Sequence, residues 1–138
     1  MQAQLYDFLN AEICGYMALL CLEDSGKLTR AIQSTKEMLK LGIKNHELLE
    51  ELGDKFSVIS KFELAESCLK RIIDNWTSQN PDLVFTTNIG TIFSKLGRVY
   101  HAQEKLNDAK IHYEEALKHV ESEVERERIQ GLLNQIGY

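Results

Sequence analysis

The chain has 138 residues and a formal net charge of −5, and 43% of its residues are apolar: enough for one domain with a sizeable core, too little for two ordinary ones. With 27% charged residues it is no disordered polymer, and with 1 proline and 8 glycines it lacks the turn residues that a sandwich or barrel consumes. The acidic balance and scattered basic residues exclude nucleic acid and anionic membrane as first-choice partners, and the longest clean apolar run, Tyr16–Leu22, is far short of a membrane span.

Apolar residues recur at three- and four-residue spacing almost throughout, which predicts an all-α fold. A first helix runs from about Gln2 to Glu23 and stops at Asp24-Ser25-Gly26. A second covers Leu28 to Leu41 and ends at Gly42, which tolerates the left-handed dihedrals of a helix end. Asn45 caps a third helix to Val58, and Ser60 with Glu63 spells a capping box for a fourth ending near Trp76. Asn80-Pro81 opens a fifth that reaches Ala102. A sixth spans about Lys105 to Val120, and Ser122 with Glu125 opens a last helix to Ile136. Connections this short make successive helices antiparallel neighbours.

The helices repeat. Phe93-x-x-Leu96-Gly97-x-x-Tyr100 is followed by Ala109-x-x-x-Tyr113-x-x-Ala116, and Leu49-x-x-Leu52-Gly53-x-x-Phe56 by Ala65-x-x-x-Leu69-x-x-Ile72, with the same Gly-to-Ala interval. Stepping back 34 residues from Gly53 reaches Leu19, and from Ala65 reaches Ala31; stepping forward 34 from Gly97 reaches Gly131. The pattern resembles the tetratricopeptide repeat, with Phe in the usual Trp place. The first copy departs from it, with Gly15 where the large aromatic belongs and Leu19 where Gly belongs. The resemblance implies an α-α superhelix of about three antiparallel helix pairs, at residues 12–45, 46–79 and 90–123, with a capping helix at 123–136, all in a single domain over 1–138. Ten extra residues between the second and third copies would lengthen the first helix of the third. Gly53 is expected to face Ala65, and Gly97 to face Ala109, so that the backbones approach closely.

No catalytic signature is present: no H-E-x-x-H, P-loop or G-x-G-x-x-G. Of the four histidines, His112 and His119 are seven apart without a supporting ligand, and the expectation for them is a solvated surface rather than a metal site. Cys14, Cys21 and Cys68 form no metal-binding spacing and read as reduced thiols of a cytoplasmic protein, the first two packed in an apolar helix. No cofactor or metal is expected, and the chain reads as non-enzymatic.

In tetratricopeptide proteins the first helix of each repeat lines a concave, peptide-binding face. Carried onto this sequence, that face holds Ile13, Tyr16 and Leu20, then Glu47, Glu50 and Asp54, then Lys95, Arg98 and His101. It has an apolar end, an acidic middle and a basic far side. The basic clamp by which some relatives hold a heat-shock C-terminus is not matched, because Tyr16, Leu20 and Glu51 stand in its place. The resemblance implies a scaffold, adaptor or chaperone for a protein or peptide with basic or apolar anchors. The rivals are a peptide-sensing regulatory domain and a homo-oligomerisation module. Ile13, Tyr16, Met17 and Leu20 lack a preceding repeat to cover them, which makes the first helix a surface for a partner or for a second copy of the chain.

Overall fold

The computed structural model describes residues 2–77 and 89–136; the Asn80-Pro81 helix start and the lengthening expected there lie outside the described residues. Among the described residues there are seven α-helices and no strand: α1 (Gln2–Leu22), α2 (Leu28–Leu41), α3 (His46–Val58), α4 (Phe62–Thr77), α5 (Ile89–Ala102), α6 (Leu106–His119) and α7 (Glu123–Gln135). The chain divides into two compact units, residues 1–75 and 76–138.

In the first unit, α1 ends at Asp24, whose carboxylate accepts from the Gly26 N–H and caps a short 3₁₀ turn, Ser25–Lys27. α2 buries Ala31, Thr35 and Met38 along one stripe and leaves Arg30, Lys36, Glu37 and Lys40 in solvent. It stops at Gly42, at φ 85°. The Leu48 N–H donates to Asn45 Oδ1, the cap read from the sequence. Asn75 Nδ2 donates to the Ile43 carbonyl and ties α4 to the α2–α3 connection.

α1 and α3 run parallel. Glu12 accepts from Asn45, Gly15 abuts Leu48, and Leu22 shares a cleft with Asp54 and Lys55, so the partner number rises with the α1 number at an offset of about one repeat.

The capping box expected at Ser60 is not formed. Ser60 has φ 64° and closes α3 instead: its N–H donates to the Ser57 carbonyl, and the next N–H, of Lys61, reaches back to Phe56. The second unit repeats this turn 44 residues on. Glu104 has φ 63°, its N–H donates to His101, and the Lys105 N–H reaches back to Tyr100. The same unusual turn joins both helix pairs, with a non-glycine residue in the left-handed position each time.

In the second unit α5 and α6 are antiparallel: Phe93, near the start of α5, stacks on His119 at the end of α6, and Tyr100, near the end of α5, meets His112, so the α6 number falls as the α5 number rises. α7 docks on α6. Ser122 Oγ accepts from the Glu125 N–H, and Arg126 donates to the Leu117 and Val120 carbonyls at the end of α6.

The nearest neighbours of the two glycines are the large side chains beyond the alanines. A methyl built on Gly97 would sit 2.5 Å from two ring carbons of Tyr113. One on Gly53 would lie 3.0 Å from Leu69, with Ala65 offering its carbonyl at 3.6 Å. The glycine makes room for a large side chain one turn beyond the alanine. The first copy inverts the arrangement. At the registers of Gly53 and Leu69 it carries Leu19 and the buried Thr35, so the large residue has changed helices. One turn earlier its Gly15 receives Leu48 and the Met38 sulfur instead. Gly131 meets nothing within 4 Å and is not a packing glycine.

His112 and His119 are not solvated as expected. Both are half-buried against Phe93, His119 stacking on it at 5.8 Å and meeting Trp76 edge-on at 5.3 Å.

Candidate functional site

The first unit brings six of the sequence-predicted residues onto two parallel helices. On α1, Ile13, Tyr16 and Leu20 are 55%, 52% and 67% exposed, and Leu9 and Met17 extend the same apolar stripe. The stripe exists because α1 packs one side only. Ala11, Ala18 and Cys21 are buried, Leu19 and Leu22 are half-buried, and among the described residues the other side of the helix stays exposed.

On α3 the positions 34 residues later are Glu47, Glu50 and Asp54, of which Glu47 and Asp54 are exposed and Glu50 half-buried. The opposite side of α3 is the core stripe Leu48, Leu49, Leu52, Gly53 and Phe56, and that burial fixes which way the carboxylates turn. Because α1 and α3 are parallel at nearly the same offset, an apolar column and an acidic column lie side by side. His46, at the start of the acidic column, has its imidazole pKa lowered by burial and by Lys44.

At the C-terminal ends of the two helices the face opens into a cleft of about 280 Å³ lined by Leu22, Asp54, Lys55, Val58 and Ile59. Val58 is 83% exposed, although it is a large aliphatic residue on a well-formed helix. Sequence reasoning missed this cleft by treating Val58 as a helix end. The available signal was spacing, since Val58 continues the Glu47, Glu50, Asp54 series by one more turn.

Lys95, Arg98 and His101 lie on α5 in the second unit. Arg98 is exposed and Lys95 half-buried; His101 is half-buried with Nδ1 3.3 Å from the Tyr113 hydroxyl. The Tyr113 side chain is fully buried, and burial pushes its phenol pKa up to about 12 despite the nearby Arg98.

The three thiols are free. Burial, with Glu37 nearby, moves the half-buried Cys14 upward, and burial pushes Cys68 up to about 12. Thiols raised in this way, at Cys14 and Cys68, are poor nucleophiles. Among the described residues no group of three His, Cys, Asp or Glu side chains is placed to hold a metal ion, and no helix is long and apolar enough to cross a membrane. The arrangement offers shape, apolar contact and negative charge, which are means of recognition. No family model and no curated protein matches the chain.

Proposed function

We propose that this chain is a non-enzymatic, tetratricopeptide-like scaffold of the cytoplasm that binds a protein or peptide segment on the α1–α3 face. The observation that carries this reading is the exposed apolar stripe of α1. Large apolar residues at Leu9, Ile13, Tyr16, Met17 and Leu20 stand in solvent in one continuous row, a pattern that marks interaction surfaces. Further support comes from the repeated helix pair, with its matching turn at Ser60 and Glu104 and its glycines at close helix approaches. The same stripe also favours a second reading, self-association through α1.

Capture of partners from the source cells, with wild type against Tyr16→Glu and Leu20→Glu, tests the proposal. Leu106→Glu, an exposed site on α6, serves as the control. The expected result is a partner retained by wild type and the control and lost by both α1 variants, with unchanged circular dichroism. A partner held equally by all four proteins would contradict it.

A further inference from the structure

We infer that the α1–α3 face takes a basic amphipathic α-helix of a partner protein, about three turns long, with its apolar stripe on α1, its Lys/Arg stripe on α3, and one large apolar anchor in the cleft beside Asp54. This rests on the reading of that face as a binding surface and names the class of ligand.

The first argument is periodicity. The exposed apolar residues Leu9, Ile13, Tyr16 and Leu20 follow spacings of four, three and four, and span about 16 Å of helix. A ligand helix laid along α1 presents side chains at the same rise, so apolar residues at i, i+4, i+7 and i+11 meet the column turn for turn.

The second argument is lateral segregation. The two chemistries are divided side by side across the face, apolar on α1 and acidic on α3. An extended strand alternates its side chains between groove and solvent, and so cannot put one chemistry to the left and another to the right along its length. A helix carries two adjacent stripes of different character and fits this division.

The third argument is charge. α3 carries Glu47, Glu50, Glu51 and Asp54 against one Lys55, so the column is net negative whatever local pairs its members make. The described part of α1 from Ile13 to Leu22 has no charged residue to offset it. A ligand with Lys or Arg beside its apolar stripe is attracted, and an acidic one is repelled. A second copy of α1 would bring no basic residue to meet these carboxylates.

The test uses the full chain and three labelled 14-residue peptides. The first has Leu at i, i+4, i+7 and i+11 with Lys on the adjacent face. The second has the same composition in strict alternation, and the third replaces each Lys with Glu. Fluorescence anisotropy should show the first binding at least tenfold tighter than the other two. Tyr16→Glu and Leu20→Glu should each weaken it about tenfold, and the double variant Glu50→Lys/Asp54→Lys should shift the preference to the Glu peptide. Equal binding of the alternating peptide, or a Lys preference unmoved by the charge reversal, overturns the inference. So does sedimentation showing the chain paired with itself through α1 and released by Leu20→Glu. A captured partner that depends on Tyr16 but engages through an extended or acidic segment would leave the binding face standing and overturn only the helical, basic ligand.

Discussion

Among the glycines in helix interiors, those at 53, 97 and 131 have surroundings that predict three different outcomes for alanine. In an exposed helix interior Gly→Ala gains about 1 kcal/mol of propensity. Gly131 has nothing within 4 Å, so Gly131→Ala should stabilise by about that amount. At Gly97 the new methyl lands 2.5 Å from a buried aromatic ring that has no room to retreat, and overpacking should cost roughly 1–3 kcal/mol and outweigh the gain. Gly53 falls between, because Leu69 at 3.0 Å has more freedom to adjust than a ring. Chemical denaturation of the three variants checks the order.

Tyr113 supplies a second residue-scale prediction. Burial pushes its phenol up from the ordinary 10.0 to about 12, so its contribution is fully present below pH 10 and is lost as pH rises towards 12. The loss is at most roughly 3 kcal/mol. Cys68, raised from 9.0 to about 12, acts in the same direction and begins a unit lower. Tyr113→Phe should flatten the alkaline limb of the stability–pH profile above pH 10, and an unchanged limb would show that this hydroxyl does not resist ionisation.

At the scale of the elements, the helix-pair turns hold strain. A non-glycine residue in the left-handed region costs about 1–2 kcal/mol, and both Ser60 and Glu104 are there. Glycine removes that cost and gives back part of the gain through its freer unfolded chain. Glu104→Gly and Ser60→Gly should therefore each stabilise by roughly 0.5–1 kcal/mol, read as a higher denaturation midpoint. Helix ends with a conventional signal were legible: Gly42, the Asn45 cap and the Ser122 cap stand where spacing put them. Ser60 was not, because a Ser three residues before a Glu spells a helix start, while backbone bonds to Phe56 and Ser57 made it a helix end. The columns of the candidate site were likewise legible, since a 34-residue step aligns Ile13 with Glu47, Tyr16 with Glu50 and Leu20 with Asp54. The cleft at Val58 and the histidine–aromatic stack on Phe93 were not, because both depend on which helix lies opposite, and periodicity within one helix does not carry that.

For the whole molecule, the chain has a net charge of −5, and the exposed apolar stripe of α1 and the acidic residues of α3 both lie in the unit of residues 1–75. On the proposed reading, this face binds a partner segment. Backbone amide chemical-shift mapping of the full chain against a captured partner's binding segment tests it most directly. The account predicts perturbations concentrated at residues 9–22 of α1 and 47–59 of α3, with α7 silent. Saturable binding that perturbs α6 or α7 and leaves Tyr16, Leu20, Asp54 and Val58 unmoved would contradict it.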